Sequence, residues 1–494
     1  MTNLGNLKHA SARGVAWNIA QNLAARLLSL LVVAILGRIL DRSAFGVIAF
    51  ALVVNAFAEL IVNQGFGEFI TQSPSLSDAH LDTAFWTNGA IGIGLTIIIA
   101  ITATPLADLF ADASIAPIVR VLSLSLAIRS FSVVPTGLLV RSLQFRTLSL
   151  RSIAAAAVSG VAGITCALSG LGIYSLVIQI LCGDLASTIV LWRAADWRPH
   201  RRFSTRCMRE MTSFGAPVFG ASMLALVSRR LDTFFVAGAL DMARLGIYSM
   251  AQRVFQLILQ VINKSMSDVA FSALARLGEP ATRRDILYKV IELTGVVCFP
   301  VYVGVAIVAQ PLVVILLGGR WGVSAMPLTL FALSGVPFSL SFVNVAAIKS
   351  VAKTRALFVI QIIFLCVYLP CMASMVRLGP SWAAAANLIG CFAIAPVEIG
   401  FVAATVSFPA TTYLKALVGP TMATAVMAAL TAGVAVVTRG RAPLLRLASE
   451  GTVAITSYTI ALRVLAPVAF QRCVQLAKTT LRRAAPVTST EPGS

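Results

Sequence analysis

Apolar segments of membrane-spanning length recur along almost the whole chain. The hydrocarbon core of a bilayer is about 30 Å thick and needs roughly 20 apolar residues in an α-helix to cross it. Because lipid offers no hydrogen-bond partner to the backbone, such segments cross as helices. Fourteen such spans, numbered 1 to 14 in chain order, are placed at 15–37, 44–66, 85–107, 117–139, 152–169, 173–192, 212–238, 246–270, 288–309, 326–348, 356–376, 382–405, 414–437 and 447–468. The sequence therefore predicts an all-α polytopic membrane protein with about 14 transmembrane helices.

Composition agrees with this class, and the loop charges predict an orientation. Of the 494 residues, 58% are hydrophobic and only 12% are charged. With a cytoplasmic N-terminus, most Lys and Arg residues of the short loops fall on the inner side, as positive residues of membrane proteins do. Both termini are thus predicted to be cytoplasmic. The net charge of +20 then reflects topology and does not indicate nucleic acid as a partner.

Several charged residues lie inside the predicted spans. Span 7 contains Arg229, Arg230 and Asp232, and span 8 contains Arg253 and Lys264. Each charge near the bilayer centre costs roughly 2.5 to 3.5 kcal/mol, so these side chains are not expected to face lipid. Pairing of Arg229 with Asp232 at i,i+3 is a structural explanation that stays open beside a role in binding.

An internal repeat relates spans 1–6 to spans 7–12. Leu40-Asp41 followed by Gly46 matches Leu240-Asp241 followed by Gly246. Two further matches have offsets of the same size, namely Pro105-Leu106 with Pro311-Leu312 and Arg141-Ser142 with Lys349-Ser350. An even number of spans separates the copies, so they run parallel. We predict two six-helix lobes related by this repeat, with spans 13 and 14 as two extra helices.

The expected boundaries follow from this repeat and from the basic linker after span 6. The N-terminal lobe is placed at 1–200, the C-terminal lobe at 201–380 and 381–410, the two extra helices at 411–470, and a cytoplasmic tail at 471–494.

The repeat also predicts polar faces on spans 1 and 2 like those of spans 7 and 8. Asn18, Asn22 and Arg26 recur every four residues in span 1, as Asn55, Glu59 and Asn63 do in span 2. Residues four apart share one face of a helix. We therefore predict a polar cavity between spans 1, 2, 7 and 8. Its candidate binding residues are Asn22, Arg26, Asn55, Glu59, Asn63, Arg229, Arg230, Asp232, Arg253, Gln256 and Lys264.

Short motifs over the first two thirds of the chain resemble a known family. They are Arg38-Ile39-Leu40 with Phe45-Gly46, Pro135-x-x-Leu138 before Leu143-x-Phe145, Leu245-Gly246-x-Tyr248-x-x-Ala251-x-Arg253, and Leu317-Gly318-x-x-Trp321. The chain resembles Wzx-type oligosaccharide flippases of the polysaccharide-transporter branch of the MOP exporter superfamily, most of all exporters of the succinoglycan and colanic-acid kind.

The resemblance implies a two-lobed bundle with a cationic central cavity. Its substrate would be an undecaprenyl-diphosphate-linked oligosaccharide repeat unit, flipped across the inner membrane by alternating access for exopolysaccharide or lipopolysaccharide biosynthesis. Arginines suit the phosphates of such a substrate, and amide side chains suit its hydroxyls. Membrane lipids are expected around it, with polysaccharide polymerase and co-polymerase proteins as partners.

Three alternatives stay open. Two belong to the same superfamily, a lipid II flippase and a cation-coupled drug antiporter. The third is a membrane-embedded polymerase or ligase, which would need acid, base or metal groups on a sizeable outer loop. The histidines, His9, His80 and His200, are all assigned to the inner side, and the sequence contains no P-loop and no metal-ligand spacing. We therefore predict a protein that is not an enzyme, with no catalytic, cofactor-binding or metal-binding residues.

Overall fold

The computed structural model describes residues 28–274, 280–351, 353–406 and 408–484, with side chains described except at 261–283, 354 and 476–484. The described residues form helices and contain no β-strand, which confirms the predicted all-α class. The helices are α1 (Leu28–Ile39), α2 (Arg42–Asn63), α3 (Phe66–Gln72), α4 (Asp78–Leu109), α5 (Ile115–Ser130), α6 (Val133–Arg141), α7 (Phe145–Leu168), α8 (Tyr174–Ala194), α9 (Thr205–Ala239), α10 (Met242–Leu274), α11 (Pro280–Ile307), α12 (Ala309–Leu317), α13 (Ala325–Ser350), α14 (Thr354–Met375), α15 (Pro380–Val406), α16 (Ala410–Val437), α17 (Pro443–Leu465) and α18 (Pro467–Ala484).

Ten of the described helices are long and apolar enough to cross a membrane, and two bent pairs raise this number to 12. The bent pairs are α5 with α6, at 43°, and α17 with the start of α18, at 115°. The other two predicted spans fall on α1, described from Leu28 onward, and on α10, whose side chains are described up to Gln260. The prediction of about 14 spans is consistent with these helices.

The described residues divide by their contacts into two compact units. One lies within Met1–Met250 together with Val376–Pro380, and the other within Ala251–Met375 together with Ser381–Ser494. The lobe boundaries expected from the repeat stay predictions.

In the first unit, α2 ends where it packs against α9. Gln64 and Gly65 both have positive φ, 41° and 79°, which stops the helix and turns the chain into α3. At this turn the two backbones are in close contact, because a Cβ on Gly215 of α9 would lie 2.1 Å from the carbonyl oxygen of Gln64. The glycines therefore fix the point at which α2 breaks.

The break between α5 and α6 has a chemical cause in Pro135. Proline has no N–H, so Pro135 cannot donate to the carbonyl of Phe131 four residues earlier. The indole of Trp192 on α8 donates to that carbonyl instead, at 3.1 Å, and the Ser132 hydroxyl lies 2.8 Å from that of Thr188. The bend is thus held by side chains of α8.

A second glycine contact joins the first turns of α2 and α10, and it is reciprocal. A Cβ on Gly46 would lie 1.8 Å from the carbonyl oxygen of Met242, and a Cβ on Gly246 would lie 1.9 Å from that of Arg42. These glycines are the pair matched by the sequence repeat. The two copies of the motif therefore meet each other with equivalent atoms.

The second unit is centred on α11, α13, α15 and α16. Its core includes Leu287, Val343, Val402 and Tyr413, all nearly inaccessible to solvent. Gly335 of α13 allows close contact with α11, since a Cβ there would lie 2.4 Å from the ring of Tyr302.

Candidate functional site

A polar cavity of about 710 Å³ lies in the first unit, among helices that are otherwise apolar. The ends of α2 and α9 that meet at the Gln64 turn, the bend between α5 and α6, and segments of α3, α7 and α8 form its walls. Its polar lining residues are Glu59, Asn63, Glu68, Thr71, Gln72, Arg129, Ser132, Thr136, Arg151, Asp184, Ser187, Thr188 and Ser222. The volume is within the range of small-molecule sites, roughly 300 to 1,000 Å³.

One guanidinium holds two carboxylates at this cavity. Nη1 of Arg129 lies 2.9 and 2.8 Å from the two carboxylate oxygens of Glu59, and Nη2 lies 2.9 Å from Oδ1 of Asp184. The side chain of Asp184 is only 12% exposed, whereas those of Arg129 and Glu59 are 41% and 36% exposed. The three charges therefore face the cavity and carry a net charge of −1 when all are ionised.

The three members come from three helices. Arg129 is in the last turn of α5, just before the bend that Pro135 causes, and Glu59 is one turn before the end of α2. Asp184 is in the middle of α8, one turn before Thr188. The ends of α2 and α5 thus bring Glu59 and Arg129 to the same cavity.

Arg151 on α7 adds a second cation to the lining. Among the described residues it has no hydrogen-bond or ion-pair partner, and the like charge of the Arg129 guanidinium acts on it. In addition, Oδ2 of Asp184 is buried without a hydrogen-bond partner among the described residues. The cavity therefore offers a ligand one cation that has no partner among the described residues, whereas the unsatisfied oxygen of Asp184 is buried behind the lining.

The predicted polar face of span 2 is divided by the structure. Glu59 and Asn63 line the cavity. Asn55 is buried and donates to the hydroxyl of Ser125 at 2.5 Å and to the carbonyl of Leu122 at 3.3 Å. Asn55 thus joins α2 to α5 and is not among the residues lining the cavity.

The charged residues of span 7 lie on α9 and have different surroundings. Arg229 is exposed and Arg230 is half-buried. Asp232 is buried, and its carboxylate accepts hydrogen bonds from the backbone N–H of Thr233 at 2.7 Å and from the hydroxyl of Tyr248 at 2.9 Å. None of the three is among the residues that line the cavity.

The remaining predicted site residues lie in the second unit or outside the described part. On α10, Arg253 is half-buried and Gln256 is exposed, and both belong to the second unit. Lys264 lies in the part of α10 where only the backbone is described. Asn22 and Arg26 lie outside the described residues. Their roles in binding stay predictions.

Sequence reasoning missed Arg129, Arg151 and Asp184, although a signal for them was present. All three are charges at or near apolar spans, the same signal that identified Glu59. The repeat points to spans 1, 2, 7 and 8 alone, so Arg129 in span 4 and Asp184 in span 6 fall outside its candidates, and Arg151, which precedes span 5, counts as a residue of an inner loop.

A buried carboxylate in the second unit was missed for the same reason. Glu398 of α15 accepts hydrogen bonds from the Ser341 hydroxyl at 2.6 Å and from the Asn344 amide at 3.0 Å. The Tyr413 hydroxyl of α16 donates to the amide oxygen of Asn344 at 2.8 Å. This network joins α13, α15 and α16 around a single acid.

The fold and the cavity together define a multi-pass membrane protein with charged groups among its spanning helices. The model of the family described as polysaccharide biosynthesis protein matches residues 35–327, more than half of the chain. The chain belongs to this family.

Individual relatives agree with the family and confirm the resemblance to the polysaccharide transporters. The chain is 25% identical over 324 residues to the lipopolysaccharide biosynthesis protein WzxC of Escherichia coli, and 27% identical over 325 residues to the succinoglycan biosynthesis transport protein ExoT of Rhizobium meliloti. These alignments cover 64% and 65% of this chain, and 65% of each relative's own length. The teichuronic acid biosynthesis protein TuaB of Bacillus subtilis is 21% identical over 327 residues, which cover 65% of this chain and 68% of TuaB.

Solved structures confirm the fold class. The lipid II flippase MurJ in an inward closed conformation matches 91% of this chain and 98% of its own, with a TM-score of 0.75 and 14% identity. A multidrug resistance MATE family transporter of the MOP superfamily in an inward-facing conformation matches 78% of this chain and 94% of its own, with a TM-score of 0.62 and 15% identity. At such low identity these matches bear on fold alone.

Proposed function

We propose that the chain is a flippase that moves undecaprenyl-diphosphate-linked oligosaccharide repeat units across the bacterial inner membrane, for exopolysaccharide or lipopolysaccharide biosynthesis. The family and the relatives named for lipopolysaccharide and succinoglycan biosynthesis support this substrate class. The observation that carries the proposal is the polar cavity of the first unit, which contains an ion triad and an arginine without a partner in the described part of the chain.

The two kinds of group in the cavity suit the two parts of such a head group. A guanidinium binds phosphate oxygens by paired N–H donors, and Arg151 is the cation whose donors have no partner among the described residues. Sugar hydroxyls are donors as well as acceptors, and the amide side chain of Asn63 in the cavity lining can both donate to and accept from such a group. We assign the diphosphate to Arg151 and a sugar hydroxyl to Asn63.

Charge pairing at Arg129 has a consequence for selectivity. Its guanidinium is neutralised by Glu59 and Asp184, so a free inorganic anion has to displace a carboxylate to reach it. A large head group gains further contacts with Asn63, Ser187 and the other polar lining residues. The site thereby favours a sugar-bearing phosphate over phosphate alone.

With the orientation expected from the loop charges, the cavity lies in the inner half of the membrane. Helix α2 begins outside and ends inside in that orientation, and the cavity is at its end, near Asn63. Lipid-linked units made on the inner face would enter there. We propose polymerase and co-polymerase proteins as partners that receive the units on the outer face.

We propose a transporter and not an enzyme. The relatives are named for biosynthesis and transport, and three of the charged groups of the cavity, Glu59, Arg129 and Asp184, are paired with each other. Transport by alternating access would need an ion gradient, the membrane potential or consumption of the product outside, since the sequence has no nucleotide-binding motif.

The test is complementation of a deletion strain with variants of Arg151. We expect Arg151→Ala to lower surface polysaccharide by tenfold or more and to raise the pool of lipid-linked units on the inner face. Arg151→Lys keeps the charge without the paired donors, so it should retain part of the export. Surface polysaccharide, lipid-linked units and membrane-inserted protein are measured in each strain.

Arg146→Ala is the matched control, because Arg146 lies on the same helix, is exposed, and is not among the lining residues. It should export normally. A deletion strain with normal polysaccharide would contradict the proposed function. If the strain instead stops peptidoglycan synthesis or becomes sensitive to drugs, the lipid II flippase or the drug antiporter is favoured.

A further inference from the structure

The segment between α8 and α9, residues 195–204, is held on the surface of the first unit by hydrogen bonds to α4. The backbone N–H of His200 donates to Oδ1 of Asp82 at 3.0 Å, and that of Ser204 donates to the hydroxyl of Thr83 at 3.1 Å. The indole of Trp86 donates to the carbonyl of His200 at 2.9 Å. Three side chains within about one turn of α4 thus fix the backbone of this segment.

Aromatic packing reinforces this attachment at the other end of the segment. The ring of Trp197 packs against Phe85 of α4 and Trp192 of α8, with ring centroids 5.8 and 6.3 Å apart. The guanidinium of Arg198 lies 5.9 Å from the ring centre of Trp192 and donates to the carbonyl of Ala195 at 2.5 Å. The segment is therefore fixed along its length, and the side chains it exposes have defined positions.

The exposed side chains of this region are mostly basic. They form what we call the basic surface, made of Arg198, Arg201, Arg202, Phe203, Arg206 and Arg209. Phe203 is 61% exposed, the side chain of Arg206 is 88% exposed, and Trp86 is 43% exposed beside the segment. Of the two exposed acids of this region, Glu210 bonds to His80 at 3.1 Å and to Arg206 at 3.0 Å, which leaves Asp196 against the positive charges of the basic surface.

We propose that the basic surface binds the headgroups of anionic phospholipids in the adjoining membrane leaflet. The segment joins the ends of two membrane-spanning helices, so it lies at headgroup level. Basic residues there attract anionic lipids, and exposed aromatic rings favour the same interfacial layer. The proposal does not depend on the transported substrate. It assigns to the linker a fixed contact with lipid in place of a solvated connection.

The geometry separates this proposal from general attraction between a basic protein and an acidic membrane. If only net charge mattered, any two surface arginines would contribute equally, and the contact between α4 and the linker would be irrelevant. If the surface is preorganised, releasing the linker should weaken lipid binding even when no positive charge is lost.

The experiment uses the full-length protein in nanodiscs of phosphatidylcholine with a minor fraction of phosphatidylglycerol. Phosphatidylglycerol retained by the protein after extraction into detergent is counted by mass spectrometry. Arg201→Ala with Arg202→Ala should reduce the retained phosphatidylglycerol by roughly 25-fold, because each basic residue near a membrane surface contributes about a factor of five. The matched control is Arg439→Ala with Arg441→Ala, two exposed arginines between α16 and α17, which should change it little.

A second variant pair tests the attachment itself. Asp82→Ala with Thr83→Val removes both acceptors of the linker backbone and also one negative charge. Electrostatics alone predicts unchanged or stronger binding of phosphatidylglycerol, whereas a preorganised surface predicts a loss of severalfold. The thermal unfolding of each variant is recorded, and the arginine pair, which lies on the surface, tests the proposal even if the α4 pair unfolds.

Three outcomes would overturn the proposal. Equal losses in the two arginine pairs would show general charge attraction. Unchanged binding in a folded Asp82→Ala, Thr83→Val protein would show that the attachment does not matter. Retention of polyprenyl diphosphate or of an acidic protein, with no dependence on phosphatidylglycerol, would assign the basic surface to another partner.

Discussion

At Arg129 a single guanidinium keeps two carboxylates from two other helices close together. Removing it leaves Glu59 and Asp184 facing each other beside a partly solvated cavity, where like charges repel. Because the guanidinium and Glu59 are partly exposed, we expect a loss of only about 1 to 2 kcal/mol in Arg129→Leu. Adding Asp184→Asn should recover part of this loss. Thermal unfolding of the purified single and double variants measures the recovery, and strictly additive losses would contradict the triad.

Glu398 offers a second test at the same scale, in the other unit. Glu398→Gln keeps a carbonyl acceptor for one of its two donors, whereas Glu398→Leu leaves both Ser341 and Asn344 without their acceptor. Each buried donor that loses its partner costs about 1 to 3 kcal/mol. The leucine variant should therefore unfold at a clearly lower temperature than the glutamine variant. Equal unfolding temperatures would mean that the network contributes little to stability.

Single site residues were predictable where a regular spacing places them on one polar face of a helix. Glu59 and Asn63 were found from their spacing by four, and both line the cavity. Asn55 shares that spacing, but its amide is used to join α2 to α5. Periodicity identifies a polar face of a helix, and it contains no information on which neighbouring helix takes up each polar group. That depends on lateral packing, which the sequence of one helix does not specify.

At the scale of the helices, the contact between α2 and α10 can be tested at the two glycines that the repeat pairs. At Gly46 and Gly246 an added Cβ would lie 1.8 and 1.9 Å from a carbonyl oxygen of the facing helix, so Gly46→Ala and Gly246→Ala must push α2 and α10 apart. We expect each to destabilise the protein by about 1 to 3 kcal/mol and to lower export. Surface polysaccharide and thermal unfolding are the measurements.

Gly94→Ala is the control for this pair, because a Cβ at Gly94 of α4 meets no atom within 4 Å. In a helix, replacing glycine by alanine gains roughly 0.5 to 1 kcal/mol, so this variant should be as stable as the native protein or more stable. If Gly46→Ala behaves like Gly94→Ala, the contact between the two repeat motifs is not required.

The boundaries of the helices were harder to predict from the sequence than their presence. Span 4 was placed at 117–139 as one helix, whereas the structure divides this region into α5 and α6 with a bend of 43°. The chemical cause was visible as Pro135, but proline also occurs inside unbroken helices here, such as Pro105 of α4. What differs is that Trp192 and Thr188 of α8 stabilise the opened turn. Before Pro135 the helix ends because side chains of a neighbouring helix stabilise the open turn.

For the whole molecule, the apolar spans were the part that the sequence specified well, because a long apolar run is recognised without knowledge of contacts. The repeat and the lobe boundaries that follow from it stay predictions. Gly46 and Gly246, which the repeat pairs, meet through equivalent atoms. The cavity was expected between four spans of the two halves, whereas the one described here is bounded by helices of the first unit alone. Which helices line a cavity depends on how the helices pack, and a sequence repeat contains no information on that packing.

Orientation in the membrane is the last property that the sequence predicts for the whole molecule. Single cysteines are introduced at Arg146 and Arg202, which are expected inside, and at Gly319 and Arg439, which are expected outside, after replacing the native cysteines. All four positions are exposed in the structure, so burial does not prevent their labelling. Because loops rich in Lys and Arg stay in the cytoplasm, a membrane-impermeant thiol reagent should label only the second pair in intact spheroplasts and all four after lysis. Labelling of Arg202→Cys in intact spheroplasts would reverse the orientation. It would also place the cavity in the outer half of the membrane, where units made on the inner face could not enter it.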